Sequence, residues 1–167
     1  MKILVTGGAG YIGSHTCVEL LNAGYDVVVM DNLYNASEKA IERVEQITGK
    51  KVTFYKTDML DREGVKKIFD NEKIDAVIHF AGLKAVGESV HKPIEYYHNN
   101  MTGTLILCDE MRNHGVKNII FSSSATVYGK VNVNVVPLPN SELTEILPPR
   151  RSTIDLQIDN PNPVPCA

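Results

Sequence analysis

The sequence has few cysteines, no long hydrophobic run and no excess of basic residues. Its apolar runs, such as residues 27–30 and 76–78, are far too short to cross a bilayer, so we expect no membrane partner. A net charge of -3 gives no reason to expect nucleic acid as a partner. The three cysteines, an odd number without metal-ligand spacing, indicate reduced thiols and no metal site. The N-terminus also lacks a basic segment followed by a long apolar one, and we therefore expect a cytoplasmic protein.

Glycine and proline are each scarce in one part of the chain. Eleven of the twelve glycines lie before residue 120, whereas seven of the eight prolines lie at or after Pro137. In residues 1–130, short β-branched runs alternate with longer amphipathic stretches. Apolar strands that alternate with helices are typical of a parallel sheet covered on both faces. We therefore predict an α/β domain over residues 1–130, followed by a Pro-rich irregular tail over residues 131–167.

The pattern predicts five strands and four helices in this domain. The predicted strands are residues 3–6, 27–30, 52–55, 76–80 and 118–122, and the predicted helices are residues 12–23, 37–48, 62–71 and 93–114. Gly24, Gly49 and Gly115 stand where helices should stop. The last helix carries apolar residues that we assign to one face, namely Ile94, Tyr97, Met101, Leu105 and Met111.

A glycine-rich loop follows the first predicted strand and precedes the first predicted helix. Its sequence is Gly7-Gly8-Ala9-Gly10-Tyr11-Ile12-Gly13, in which the glycine triplet can start at either Gly8 or Gly7. A dinucleotide-binding loop needs one glycine for a tight turn, one for backbone approach to a pyrophosphate and one for close packing of helix on strand. The N–H groups of the helix N-terminus then attract the phosphates. This context predicts a doubly wound Rossmann fold rather than a plain flexible loop.

Asp31 lies at the end of the second predicted strand, 18 residues after Gly13. A carboxylate at this position can accept hydrogen bonds from the adenosine ribose hydroxyls, and it would repel a 2′-phosphate. No Arg or Lys lies between residues 31 and 38. The sequence therefore favours NAD over NADP, with a loop aspartate in a turn with Asn32 as the alternative.

The ends of two further strands are predicted to lie near the glycine loop and Asp31, in one ligand-binding crevice. Asp58 follows the third strand, where it can hydrogen-bond adenine, and the small residues Ala81 and Gly82 follow the fourth. Ligands of doubly wound sheets bind beyond the carboxyl ends of the strands, at the point where the strand order reverses. His79 ends an apolar strand, and a packed or capping histidine explains it more simply than a catalytic one.

Longer segments carry a more specific pattern. Residues 6–15 look like the opening of the extended short-chain dehydrogenase/reductase family. Residues 79–89, 96–100 and 121–129 resemble the UDP-glucose/UDP-galactose 4-epimerases within that family, and the resemblance covers residues 1 to about 130. It implies NAD as the cofactor, a UDP-hexose as the substrate and a homodimer for the complete family enzyme.

The resemblance also implies which residues contact NAD. The glycine loop would contribute Gly7, Gly10, Tyr11, Ile12 and Gly13. The later segments would contribute Asp31, Asn32, Asn35, Asp58, Met59, Phe80, Ala81, Gly82, Lys84 and Asn99. Ser124 would lie beside the nicotinamide and hydrogen-bond the reacting sugar hydroxyl, which gives it a catalytic role. Lys84 stays open to the alternative of a solvated loop lysine.

Tyrosine and lysine are both absent after Lys130. The family takes its catalytic base from a Tyr-x-x-x-Lys pair, in which the lysine lowers the pKa of the tyrosine. That tyrosine removes the proton of the C4 hydroxyl while hydride passes to NAD, and the hydride then returns to the other sugar face. None of the seven tyrosines of this chain has a lysine four residues on. We therefore predict an epimerase-like protein that is truncated and inactive alone, with a non-catalytic NAD-binding fragment or a regulatory or pseudogene-like product as the alternative.

Overall fold

A computed structural model describes residues 1–123 as a five-stranded sheet flanked by helices. The strands are β1 (Lys2–Thr6), β2 (Asp26–Asp31), β3 (Thr53–Lys56), β4 (Ala76–His79) and β5 (Asn118–Phe121). The helices are α1 (Tyr11–Asn22), α2 (Lys39–Thr48), α3 (Arg62–Asn71), α4 (Val86–His91), α5 (Pro93–Tyr97) and α6 (Gly103–Asn113), and a π-helical turn (His98–Thr102) joins α5 to α6. Ser124, the predicted boundary at residue 130 and the predicted tail lie outside the described residues and stay predictions.

All neighbouring strands of the sheet are parallel, in the order β3-β2-β1-β4-β5. The chain adds β2 and β3 on one side of β1, and then returns to add β4 and β5 on the other side. The strand order therefore reverses between β1 and β4, which confirms the predicted doubly wound fold and sets the place where a ligand cleft is expected.

Helices cover both faces of the sheet because side chains alternate along each strand. On β1, Leu4 packs with the core of α3 and α6, which includes Ile68 and Leu107. Ile3, on the same strand, packs on the opposite face with α1 and α2. Apolar residues on both faces of a strand are the signature of a parallel sheet, and this is why the apolar runs of the sequence predicted the strands correctly.

The structure differs from the prediction around residues 86–113. The helix α4 was not predicted, because it has six residues, includes Gly87 and buries none of its side chains. The predicted helix over residues 93–114 is continuous up to Asn113, but the π-helical turn interrupts its regular hydrogen bonding. Hydrophobic spacing does not reveal such a turn, since it adds a single residue to an otherwise helical period.

Met111 does not lie on the apolar face to which we assigned it. It is 5% exposed and packs in the core with Leu107, whereas Leu105 is 67% exposed. Six residues separate Leu105 from Met111, and at about 3.6 residues per turn they lie roughly 120° apart around the helix. The assignment was therefore wrong by one third of a turn.

Within residues 1–123, no helix combines the length and the apolar character that a membrane crossing requires.

Candidate functional site

An open cleft of about 570 Å³ lies beyond the carboxyl ends of the strands. All fifteen of the predicted cofactor residues that fall within residues 1–123 line it. Ser124, the predicted catalytic residue, lies outside the described residues. Seven further lining residues were not predicted, namely Met30, Tyr34, Thr57, Leu83, Ala85, Glu88 and Tyr96.

The glycine triplet that faces the cleft starts at Gly7. Gly7 has a φ of +68°, and a Cβ there would lie 2.8 Å from the backbone nitrogen of Ala81, so the ends of β1 and β4 approach too closely for any side chain. A Cβ on Gly13 would collide with the carbonyl oxygen of Gly7. Gly8 instead faces β2, where a Cβ would lie 2.7 Å from Cγ1 of Val29. The structure thus separates the two registers that the sequence left open.

The N-terminus of α1 is uncapped and faces the same cleft. Gly10 at the N-cap supplies no side-chain acceptor, and the first turn holds no acidic residue. The N–H groups of the first helical residues have no acceptor within the helix. In contrast, Oδ1 of Asp61 caps α3 by accepting a hydrogen bond from the backbone N–H of Gly64 at 3.1 Å. The free N–H groups and the positive dipole end of α1 are the features to which anions bind at helix N-termini.

Asp31 shapes the glycine loop as well as facing the cleft. It is 8% exposed, and its Oδ2 accepts a hydrogen bond from the backbone N–H of Ala9 at 3.1 Å. Its Oδ1 accepts one from the backbone N–H of Leu33 at 2.8 Å, where the chain turns with a φ of +61°. A carboxylate offers about four acceptor positions, so two remain for ligand hydroxyls. Sequence reasoning placed Asp31 at the cleft but missed its structural role in the glycine loop; its contact with the cofactor stays a prediction.

A pair of side chains joins the ends of β2 and β3. Nδ2 of Asn32 donates a hydrogen bond to Oδ2 of Asp58 at 2.7 Å, and Oδ1 of Asp58 accepts one from the backbone N–H of Leu60 at 2.8 Å. Oδ1 of Asn32 accepts one from the backbone N–H of Tyr34 at 3.0 Å. These contacts tie the ends of β2 and β3 together at one end of the cleft.

A second rim comes from α4 and α5. The hydroxyl of Tyr96 donates a hydrogen bond to Oε2 of Glu88 at 2.9 Å, and Nζ of Lys92 lies 2.9 Å from Oε1 of the same residue. Lys92 first and then Tyr96 lower the pKa of Glu88 from its ordinary value. The spacing of these residues by four is a helical signal, and it would have indicated this rim had α4 been recognised.

His79 does not line the cleft. Its ring is 1% exposed and lies between the hydroxyls of Thr6 and Thr104, in agreement with a packed rather than a catalytic histidine. Burial first, and the charge of Lys84 second, lower its pKa to about 4. The ring is therefore neutral at pH 7.

Two curated proteins match most of the described residues. The UDP-glucose 4-epimerase of Bacillus subtilis (strain 168) is 69% identical over 129 residues, which cover 77% of this chain and 38% of that protein. The UDP-glucose 4-epimerase of Pasteurella multocida (strain Pm70) is 64% identical over 141 residues, which cover 84% of this chain and 41% of that protein.

Two solved structures share the fold. The UDP-glucose 4-epimerase from Bifidobacterium longum in complex with NAD+ and UDP aligns with a TM-score of 0.77 and 56% identity, over 87% of this chain and 44% of that chain. The enzyme from Stenotrophomonas maltophila with bound NAD and formylated UDP-arabinopyranose aligns with a TM-score of 0.75 and 48% identity, over 77% and 38% of the two chains.

This chain thus spans between 38% and 44% of the length of these four proteins. A sequence model described as the NAD dependent epimerase/dehydratase family matches residues 3–153, a region that extends beyond residue 130. Because that match includes most of the sequence, the chain belongs to the NAD dependent epimerase/dehydratase family.

Proposed function

We propose that the chain binds NAD in the cleft at the strand ends and carries the cofactor-binding region of a UDP-glucose 4-epimerase. The observation that carries the proposal is the contact between the ends of β1 and β4, where Gly7 lies against Ala81 without room for a side chain. This arrangement leaves the backbone and the start of α1 accessible to a pyrophosphate.

The residues present fit the pyrophosphate and the adenosine ribose of NAD. The uncapped start of α1, without an acidic residue in its first turn, suits two phosphates. Asp31 suits the adenosine ribose, since its remaining acceptor positions match the two hydroxyls. When bound, NAD would supply a hydride acceptor that returns the hydride after the sugar has turned.

Gly13 provides the test of the pyrophosphate site. Gly13→Ala places a methyl group against the carbonyl of Gly7, so we expect NAD affinity to fall by at least about tenfold, because the helix must move off the strand. Gly87→Ala is the matched control, since a Cβ there meets no atom within 4 Å. Calorimetric titration with NAD measures both variants. Equal NAD affinity in the two variants would contradict binding of the pyrophosphate beside Gly13.

Asp31 provides the test of cofactor choice. The unmutated chain should bind NAD more tightly than NADP, because the carboxylate repels a 2′-phosphate. Asp31→Ala should narrow that preference, while Asp31→Glu keeps the charge and should preserve the discrimination. The ratio of the two affinities separates charge from the role of Asp31 in shaping the loop, since both cofactors need the same loop. Equal affinities in the unmutated chain would contradict this role.

Epimerisation by the 167-residue chain alone is not expected. The sequence contains no Tyr-x-x-x-Lys pair, and general acid–base catalysis contributes about 10²–10⁴-fold to such reactions. Ser124 would hydrogen-bond the reacting hydroxyl but would not replace the base. The measurement is interconversion of UDP-galactose and UDP-glucose with added NAD. Turnover within about tenfold of a full-length relative would show that another residue serves as the base.

A non-catalytic NAD-binding protein is the second candidate, because the absent pair affects the chemistry and not the cofactor cleft. NAD binding without epimerisation favours it, whereas neither binding nor turnover would contradict both candidates. A UDP-hexose substrate, a homodimer and a cytoplasmic location stay proposals, and they are supported by the similarity to the epimerases and by the small number of cysteines.

A further inference from the structure

Four polar residues beneath the cleft form a connected set that we call the polar relay: Thr6, His79, Asn100 and Thr104. None of them lines the cleft. They come from the end of β1, the end of β4, the π-helical turn and the first turn of α6. Thr6 is 0% exposed and His79 is 1% exposed, so water does not complete their hydrogen bonds.

The relay has a single direction, which fixes the tautomer of His79. The hydroxyl of Thr104 donates its one hydrogen to the backbone carbonyl of Asn100 at 2.6 Å. Towards Nε2 of His79, at 3.0 Å, the same hydroxyl can therefore only accept, and the ring proton lies on Nε2. Nδ1 is then an acceptor, and the hydroxyl of Thr6 donates to it at 2.6 Å.

The relay ends on the backbone of the loop that lines the cleft. The oxygen of Thr6 accepts a hydrogen bond from the backbone N–H of Ala81 at 3.3 Å. Asn100 holds Leu83 at two points: its Oδ1 accepts from the backbone N–H at 2.8 Å, and its Nδ2 donates to the backbone carbonyl at 2.9 Å. Ala81 and Leu83 are thus fixed on either side of Gly82.

The relay also orients the residue next to it on the π-helical turn. Nδ2 of Asn99 donates to Oδ1 of Asn100 at 2.9 Å, and Asn99 itself lines the cleft. Irregular turns of this kind occur often at functional sites. A loop that is already ordered loses less conformational entropy when a ligand binds, so a fixed loop binds more tightly than a free one.

We propose that Thr6, His79, Asn100 and Thr104 are positioning residues for NAD. Thr6, oriented by a neutral His79 that carries its proton on Nε2, holds Ala81, and Asn100, whose backbone carbonyl accepts the hydrogen of Thr104, holds Leu83 and Asn99 in the shape that the cofactor meets. This inference rests on the proposed NAD function. A second proton on His79 would break the relay, because the hydroxyl hydrogen of Thr6 would lose its acceptor.

Substitutions of Thr104 test the relay without changing a residue of the cleft. Thr104→Val keeps the shape of the side chain but removes the acceptor of the His79 N–H, and we expect NAD binding to weaken by about five- to tenfold. Thr104→Ser keeps the hydroxyl and should restore affinity. Val77→Ala is the control, since it destabilises β4, the strand that carries His79, at a buried position outside the relay and should leave NAD affinity unchanged. Equal NAD affinity in Thr104→Val and Thr104→Ser would overturn the proposal.

Two measurements on the chain without cofactor separate this proposal from NAD binding itself. Nitrogen-15 NMR of the His79 ring should show one neutral tautomer with the proton on Nε2. Amide hydrogen exchange at Ala81 and Leu83 should be at least about tenfold faster in Thr104→Val than in Thr104→Ser. An Nδ1–H tautomer, or equal exchange in the two variants, overturns the relay even where NAD binds. A chain with the expected tautomer and exchange that binds no NAD instead contradicts the proposed function.

Discussion

The neighbouring strands β4 and β5 have similar apolar content but very different surroundings. Ile78 of β4 is 8% exposed, whereas its register partner on β5, Ile120, is 65% exposed. β4 has a strand on each side, while β5 pairs only with β4 among the described residues. Burial in a sheet therefore follows from the neighbours of a strand and not from its own propensity.

The same contrast exists within α6. Leu107 is fully buried against the sheet, and Leu105, two residues earlier, is 67% exposed. Leu105 continues an apolar stripe that α5 and the π-helical turn begin. The apolar stripe consists of Ile94, Tyr97, Met101 and Leu105, all of them more than half exposed. Within residues 1–123, α6 thus has one face buried in the core and another face that is apolar and exposed.

The largest difference in stability should appear when an isoleucine is replaced by alanine on β4 and, separately, on β5. Ile78→Ala leaves a cavity in the core and should lower the free energy of unfolding by about 2–5 kcal/mol. Ile120→Ala removes a side chain that is already exposed and should change it by less than about 0.5 kcal/mol. Urea unfolding followed by circular dichroism measures both variants. Similar losses would show that β5 is buried in solution and would abolish the contrast.

The second-largest effect should be a loss of stability at acid pH, caused by His79 at the end of β4. With a folded-state pKa lowered to about 4, the ring stays neutral while the unfolded chain takes up a proton below its ordinary value of 6.5. Stability should therefore fall as the pH drops from 6.5 towards 4, by at most about 1.4 kcal/mol per pH unit from this group. Unfolding free energies of the unmutated chain and of His79→Phe, measured across that range, isolate the contribution. Parallel curves would contradict the neutral buried ring.

His114, the C-cap residue of α6, has the opposite pH dependence, and it sharpens the comparison. Asp70 first, and the backbone of Glu110 second, raise the pKa of His114. Its stabilising contribution is complete below its ordinary value of 6.5 and is lost as the pH rises through the raised value. His114→Ala should therefore lose stability mainly on the acid side of that window, whereas His79→Phe should flatten the acid limb. Unfolding free energies of both variants across the same pH range measure this difference, and a uniform shift of either curve would contradict the opposite signs of the two histidines.

The smallest effect on stability should come from the apolar stripe. Leu105→Lys should change the unfolding free energy by less than about 0.5 kcal/mol, but it should reduce self-association and the fluorescence of a bound hydrophobic dye. Asn113→Lys adds the same charge at an exposed polar position and should leave both unchanged. A strictly monomeric sample with a sharp melt above ~60 °C would show that residues beyond 123 cover the stripe. The predicted irregular tail would then be wrong.

Strands and long helices could be predicted because their apolar spacing is dictated by burial on both faces of the sheet. The helix α4 could not, since a six-residue helix without a buried side chain leaves no period in the sequence. Met111 was assigned to the wrong face of the helix for a related reason. The sequence shows that a residue is apolar, but it does not show which of two apolar helix faces the residue belongs to.

The cleft could be predicted where close backbone contacts leave room only for glycine, as at Gly7 and Gly13. Glu88 and Tyr96 were missed because they reach the cleft from α4 and α5, which follow no known loop signature. The polar relay through His79 could not be predicted from the sequence either, because Thr6 and Thr104 contact His79 only when β1, β4 and α6 pack together.

The position of β1 at the centre of the sheet has a consequence for the order of assembly during synthesis. Ile3 pairs with Val27 on one side and with Ala76 on the other. The first partner follows soon after β1 leaves the ribosome, but the second arrives only after two more helices and another strand have been translated. Until then β1 has an unpaired edge of backbone donors and acceptors, which is a template for wrong pairing. A nascent chain stalled before β4 should therefore be the species of this protein that depends most on chaperones.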